Sequence, residues 1–90
     1  MTNTLLSREY RNKEQFRIDY PYYGLFGSAE INAVVVDDQA AYRCRLLNGI
    51  VLTIRKQAQP RKWIDLNLSR ETPLSYIIGI AIDDFLKNGD

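Results

Sequence analysis

The stretch AYRCRLLNGIVLTIRK, residues 41–56, decides the fold because it joins two alternating apolar segments through Asn48-Gly49. An Asn-Gly pair in such a setting usually forms a two-residue β-turn. That turn would place Arg43 and Arg45 on the same sheet face as the aliphatic side chains of the next strand. Burial of unpaired arginines among aliphatic side chains costs several kcal/mol each, so the sequence disfavours the two-residue turn.

A three-residue loop, Leu47-Asn48-Gly49, removes this conflict. It keeps one face of the hairpin apolar and moves the arginines to the other face. Gly49 then occupies the left-handed position of a type I turn with a G1 bulge, where the absence of a Cβ matters. The expected apolar pairs are Leu46 with Ile50, Cys44 with Leu52 and Tyr42 with Ile54, and the opposite face carries Arg43, Arg45, Val51, Thr53 and Arg55.

Two further strands are predicted upstream of this hairpin. The first covers residues 15–20, which alternate polar and apolar side chains as in a half-buried strand, and it is expected to end at Pro21. Its inward residues are Phe16, Ile18 and Tyr20.

The second upstream strand is predicted over residues 29–37, and a polar cluster, residues 37–39, then turns the chain. We expect Val36 to pair with Ala41 across this turn. The apolar face then receives Ile31, Ala33 and Val35, and the face with the arginines receives Asn32, Val34 and Val36.

The last strand is predicted in the run WIDLNL, residues 63–68. Alternation there places Ile64, Leu66 and Leu68 on the apolar face. Trp63 consequently lies on the arginine face.

A helix follows this strand. Thr72-Pro73 is typical of a helix start, and Asn88-Gly89 is typical of a helix end. The apolar side chains between them follow helical spacing and form one stripe. These residues are Leu74, Ile77, Ile78, Ala81, Ile82 and Phe85.

Together these elements predict an α+β fold, an antiparallel β-meander of about five strands with one C-terminal α-helix packed on one sheet face. Residues 14–90 are expected to form a single domain. Residues 1–13 combine several charged side chains with few apolar ones, and we interpret them as a flexible or partner-ordered N-terminal tail.

The composition limits the classes of function. The 90 residues carry a formal net charge of +1, which creates no global field typical of a nucleic-acid or membrane partner. The longest apolar stretch, residues 76–82, is far shorter than a membrane span, and the first residues lack the pattern of a secretory signal. The single cysteine has no disulfide partner in the chain, so we expect a cytoplasmic protein.

Signals for catalysis are sparse. The chain has no histidine, which removes the commonest general base and a common metal ligand. Cys44 falls at an inward strand position, where a core side chain is the expected role. The pairs Asp37-Asp38 and Asp83-Asp84 are expected to form a turn and a solvated helix surface. We therefore expect no catalytic activity, no metal and no cofactor.

The most unusual stretch is YPYYGLFGS, residues 20–28, which combines aromatic side chains with turn residues. Turn residues place it at the surface, where Tyr22, Tyr23 and Phe26 would anchor a protein partner or stack on bases. The alternative interpretation is that this loop folds back and closes one end of the core.

The second candidate surface is the outer sheet face, with Arg43, Arg45 and Arg55 near Val34 and Trp63. A fully solvated face has little reason to carry valines and a tryptophan, so a covering partner is one interpretation. That partner would be a second copy of the chain, packed sheet to sheet with the arginines paired to Asp65, Glu30 or the tail, or single-stranded nucleic acid. An ordinary exposed face is the remaining alternative.

The favoured hypothesis is a small, non-catalytic protein-interaction module, homodimeric, that presents the arginine face and the aromatic loop to a macromolecular partner. The alternative is a single-stranded nucleic-acid-binding domain that uses the same residues, with Arg61 and Lys62 as further phosphate contacts. An enzyme that uses the acidic pairs ranks below both hypotheses.

Overall fold

Each strand of the sheet pairs antiparallel with the next strand along the chain, so the order in the sheet is the order in the sequence. This arrangement is seen in a computed structural model, which describes residues 14–88, so the predicted tail, residues 1–13, lies outside the described residues. The α+β class and the antiparallel meander are confirmed, with a sixth, two-residue strand that the sequence pattern does not reveal. The elements are β1 (Gln15–Tyr22), β2 (Leu25–Val36), β3 (Gln39–Leu46), β4 (Val51–Gln57), β5 (Lys62–Asp65), β6 (Arg70–Glu71) and α1 (Pro73–Asn88).

The helix closes the inner face of a curled sheet. α1 packs against β1 and also against β5, four strands further along. Four steps of about 4.8 Å amount to roughly 19 Å, yet the same two helix residues, Tyr76 and Ile80, lie beside both strands, so the sheet curls around α1. At the β1 side, the rings of Phe16 and Phe85 stack with their centroids 4.2 Å apart. The buried core consists of Phe16, Ile18, Tyr20, Ala29, Ile31, Cys44, Leu46, Leu52, Ile54, Trp63, Ile78 and Ile82.

The hairpin between β3 and β4 has the predicted three-residue loop. The amide of Gly49 donates to the carbonyl of Leu46 at 2.9 Å, and Gly49 has a φ of 91°, in the left-handed region. The arginine conflict is therefore resolved by the loop length, and Arg43 and Arg45 are both exposed on the outer face. The predicted pairs Tyr42 with Ile54 and Cys44 with Leu52 are confirmed.

The turn between β2 and β3 is tighter than predicted. Asp37 and Asp38 alone form it, with φ values of 52° and 65°. Ala41 consequently faces Val34, and the predicted pairing of Ala41 with Val36 is wrong by two residues. Because side-chain direction alternates with a period of two, this shift leaves every residue on its predicted face.

The aromatic segment is a hairpin and not a loop. β1 continues past Pro21 and β2 begins at Leu25, so the predicted strand end at Pro21 and the predicted start at residue 29 are wrong. Tyr23 and Gly24 form the turn, with φ values of 50° and 81°, as in a type I′ turn. Pro21 is tolerated because β1 lies at the sheet edge, where the missing N–H breaks no ladder bond.

The inner and outer faces of strand β5 are the reverse of those predicted. Trp63 points into the core and is 2% exposed, whereas Ile64 is half-buried on the outer face. The register causes this, because Asp65 lies opposite the inward residue Ile54, and Trp63 shares the face of Asp65. The two leucines at positions 66 and 68 lie in the turn after the strand, so their alternation carries no information about the sheet face.

Helix α1 begins as predicted after Thr72. The Ser75 amide donates to Thr72 Oγ1 at 3.0 Å, and the Thr72 amide donates to Ser75 Oγ at 2.8 Å, which caps the first turn reciprocally. The Ser75 hydroxyl also donates to the carbonyl of Trp63 at 2.7 Å and so ties the helix start to β5. The predicted stripe faces the core, with Ile78 and Ile82 fully buried. The part of the chain that the structure describes includes no helix with the length and hydropathy of a membrane span.

Candidate interaction surfaces

The outer sheet face carries a row of charged side chains in which Glu30 forms salt bridges with two arginines. Glu30 accepts a hydrogen bond from Arg45 Nη2 at 2.8 Å and forms an ion pair with Arg17 at 3.6 Å. Hydrogen bonding and charge from Arg45, with a further contribution from Arg17, lower the pKa of the Glu30 carboxyl. Of the acidic partners predicted for the arginines, Glu30 pairs with Arg45 within the same chain. Asp65 lies in the core, where its Oδ1 accepts hydrogen bonds from backbone amides of the following turn.

Arg55 covers much of the apolar part of this face. Its Nη2 donates to the carbonyl of Val36 at 3.1 Å, so the side chain reaches from β4 across β3 to β2. Ala41, on the strand that it crosses, is 1% exposed. Val34 and Val36 are half-buried on the same face. The aliphatic stem of Arg55 thus provides cover from within the molecule, and the valines by themselves do not require a partner.

Arg43 is the exposed centre of the outer face. It lies between Asn32 on β2 and Thr53 on β4 and has no ion pair among residues 14–88. Trp63, predicted to stack or pack on this surface, is buried instead, so that prediction is wrong. Its neighbour Ile64 takes the outward position and supplies no aromatic ring.

One end of the sheet gathers large apolar side chains that contact solvent. It is formed by the turn between β1 and β2 and the loop between β3 and β4, which are neighbours because Ala29 pairs with Leu46. The ring of half-buried Tyr22 lies 4.4 Å from that of Tyr23. We call these residues the apolar tip: Tyr22, Tyr23 (78% exposed), Leu25 (74%), Phe26 (83%), Leu47 (76%) and Ile50 (52%).

A groove of about 340 Å³ runs through the apolar tip. Tyr20 and Leu46 of the sheet and Leu74 at the start of the helix line it beside the tip residues. Gly27 makes room for the tyrosine, because a Cβ at this position would lie 2.6 Å from Cζ of Tyr20. The helix starts at this end of the sheet, so no further turn of helix covers the groove.

Sequence patterns predict only part of the apolar tip. Tyr22, Tyr23 and Phe26 were expected at the surface: Tyr23 and Phe26 are exposed there, in a hairpin, whereas Tyr22 is half-buried and packs against the core. Leu47 and Ile50 were not singled out: one lies in the loop, and the other has the inward parity of β4 but sits where α1 does not reach. Alternation tells which face a residue takes, and it does not tell how far the helix extends over that face.

The groups that the sequence offered for catalysis have structural roles, apart from the exposed Asp84. Burial, together with the Asp65 carboxylate, raises the pKa of the Cys44 thiol to about 12, and the predicted core position of Cys44 is confirmed. Asp37-Asp38 forms the predicted turn. Asp83 is ion-paired and not merely solvated, since it accepts hydrogen bonds from Lys56 at 2.9 Å and Arg61 at 2.7 Å. In the described range, no three or more acidic or cysteine side chains are grouped to hold a metal ion.

Comparison of the chain with models of known protein families, with curated proteins and with solved structures finds no match. The function is therefore argued from the surfaces of this chain alone. Two of them stand out: the apolar tip and the arginine-bearing outer face.

Proposed function

We propose that the chain is a small, non-catalytic protein-interaction module that forms a homodimer through the apolar tip. The observation that carries the proposal is the exposure of Tyr23, Leu25, Phe26 and Leu47, which are grouped at one end of the sheet. Large apolar side chains grouped in solvent mark interaction sites on folded proteins. A cytoplasmic location is part of the proposal and agrees with a cysteine that stays a buried thiol.

The area of the apolar tip fits an interface between two copies. An aromatic side chain offers about 150–250 Å² for burial, and the two exposed rings with three exposed aliphatic side chains offer on the order of 700 Å². A stable interface buries roughly 800 Å² on each partner. A two-fold axis through the groove would place each hairpin turn in the groove of the other copy, an isologous contact.

The oligomeric state tests the proposal. We expect the wild-type chain to sediment as a dimer and Leu25→Lys to sediment as a monomer, because the new charge would have to be buried in the interface. Val35→Lys is the matched control: Val35 is also 74% exposed on β2, but it lies at the opposite end of that strand. A wild-type monomer at the highest accessible concentration, or a monomeric Val35→Lys variant, would contradict the proposal.

A second candidate function is the binding of single-stranded nucleic acid. It is favoured by Phe26, which lies on the outer face beyond Arg17 and Arg45, because its neighbour Gly27 turns toward the inner residue Tyr20. A ring beside guanidinium groups suits a base and its phosphates. The burial of Trp63 removes the aromatic platform first expected there, which ranks this function second.

An oligonucleotide titration separates the two functions. If nucleic acid is the partner, binding weakens steeply with salt and is abolished by the double variant Arg43→Glu and Arg45→Glu. The same variant leaves the apolar tip intact, so a homodimer through the tip persists. Absence of binding at low salt would reject the nucleic-acid function and would leave the proposal of a homodimer unaffected.

A further inference from the structure

The cleft between β1 and α1 is separate from both surfaces described so far. It has a volume of about 350 Å³. The helix contributes an apolar wall in which Tyr76 is about half exposed and Ile80 half-buried. Asp19 on β1 and Asp84 on α1 line the same cleft. Neither carboxylate has a salt-bridge partner within residues 14–88, in contrast to Asp83.

The free edge of β1 borders this cleft. No strand of the described chain pairs with the side of β1 that faces away from β2. The amide of Ala33 donates to the carbonyl of Glu14 at 2.8 Å, so the even-numbered residues of β1 direct their backbone groups toward β2. The backbone N–H and C=O groups of Arg17 and Asp19 therefore point to the free side. Pro21 has no N–H and ends this short row of available donors.

We infer that the cleft binds an extended segment of a partner protein in which basic residues alternate with apolar ones. The segment adds to the edge of β1 through the backbone groups of Arg17 and Asp19. Its apolar side chains contact the wall that contains Tyr76 and Ile80. Its lysine or arginine side chains lie against Asp19 and Asp84, whose two negative charges select this chemistry over an acidic or neutral segment.

The inference goes beyond the proposed dimer, since it concerns a different side of the molecule. The apolar tip has no charge to select a partner, whereas the cleft combines an apolar wall, a short strand edge and two unpaired carboxylates. Charge complementarity therefore identifies a basic occupant. The short edge limits the added strand to a few residues, which is typical of a reversible contact.

A labelled peptide titration tests the inference with the full chain. The probe is a short blocked peptide of alternating valine and lysine, and its matched control has glutamate in place of lysine. We expect the lysine peptide to bind with an increase in fluorescence anisotropy, and to shift the NMR amide signals of Arg17 and Asp19. The double variant Asp19→Asn and Asp84→Asn should bind it roughly tenfold more weakly, since two exposed charge pairs are lost.

A second double variant controls for net charge. Asp37→Asn with Asp38→Asn removes the same two charges in the turn between β2 and β3, away from the cleft, and asparagine tolerates the positive φ at both positions. This variant should bind the lysine peptide like the wild type. Equal binding of the glutamate peptide, or an equal loss in the control variant, would overturn the inference. It would also be overturned if the Arg17 and Asp19 amides were protected from exchange in the full chain without peptide, because residues 1–13 would then fill the cleft.

Discussion

Gly79 of α1 packs directly on the indole ring of Trp63, so closely that a Cβ at position 79 would overlap the ring. The contact lets the helix approach β5 and brings the Ser75 hydroxyl within 2.7 Å of the Trp63 carbonyl. Helix propensity alone would favour alanine at position 79 by about 1 kcal/mol. Overpacking a rigid, fully buried ring costs roughly 1–3 kcal/mol.

We therefore expect Gly79→Ala to lower the free energy of unfolding by up to about 2 kcal/mol, as measured by urea denaturation. The control is the same substitution in a Trp63→Leu background, where the smaller side chain leaves room for the new methyl group. There Gly79→Ala should cost much less or should stabilise the chain, because the two sites are coupled. Additive effects of the two substitutions would show that the contact does not determine how the helix packs.

The buried thiol of Cys44 provides a second prediction. Its pKa is about 12, against an ordinary value of 9.0, first because of burial and then because of the Asp65 carboxylate. Alkylation at pH 8 should therefore be at least about 1,000-fold slower in the native chain than in urea, since the thiolate is the reactive form. A Cys44→Ala, Lys87→Cys variant, with its thiol on the exposed side of α1, should react quickly under native conditions.

The same thiol makes the free energy of unfolding depend on pH in the alkaline range. The unfolded chain loses the Cys44 proton near pH 9.0, whereas the folded chain holds it to about pH 12. Between these values the unfolded state binds fewer protons, so the free energy of unfolding falls as pH rises. In Cys44→Ala this part of the alkaline decline should be absent. Rapid native alkylation, or identical alkaline profiles for the two chains, would contradict the buried position.

The hairpin around Asn48-Gly49 could be predicted from sequence because one turn length buries two arginines and the other buries none. The free-energy difference between the two turn lengths is large, and it follows directly from the arginines in this part of the sequence. In strand β5 the same argument gives the wrong face, because it directs Asp65 outward, whereas the buried Asp65 carboxylate accepts hydrogen bonds from amides of the following turn. Ile64 and Trp63 are both apolar, so either could face the core without a large cost.

The orientation of Trp63 is set by distant features that alternation does not contain. One is the register with β4, and another is the missing side chain at Gly79. The indole Nε1 is buried with no hydrogen-bond partner in the described part of the chain, although a buried indole usually has one. The exposure of Leu47 and Ile50 in the apolar tip could not be predicted either, because it depends on where α1 starts over a curled sheet.

Asp83 anchors the outer side of α1 to the β4–β5 region and should make stability depend on acidic pH. Partial burial acts to raise the pKa of its carboxyl, but hydrogen bonds from Lys56 and Arg61 outweigh burial, and the pKa is lowered. A lowered pKa in the folded state means that the stabilisation is present above the unfolded value, near 3.9, and is lost as pH falls through the folded value.

Asp83→Asn should therefore reduce the free energy of unfolding by about 0.5–1 kcal/mol at neutral pH. The difference from the wild type should shrink as pH falls through the lowered pKa of Asp83, and it should disappear once the native carboxyl is protonated as well. Asp84→Asn is the matched control, since the adjacent carboxylate has no salt bridge within residues 14–88 and should change stability little. A loss for Asp84→Asn as large as that for Asp83→Asn would mean that net charge, and not the paired contact, is responsible.

The turn at Asp37-Asp38 can be improved, because both residues have positive φ values of 52° and 65°. The second central position of such a turn favours glycine, which adopts positive φ without a steric cost. Asp38→Gly should raise the free energy of unfolding by about 0.5–1 kcal/mol, whereas Asp38→Val should lower it by about 1–2 kcal/mol. Asp37→Asn should be nearly neutral, since asparagine also tolerates this region. Urea midpoints at an unchanged m-value measure all three effects, and an unaltered midpoint for Asp38→Val would refute the two-residue turn and with it the register of β2 on β3.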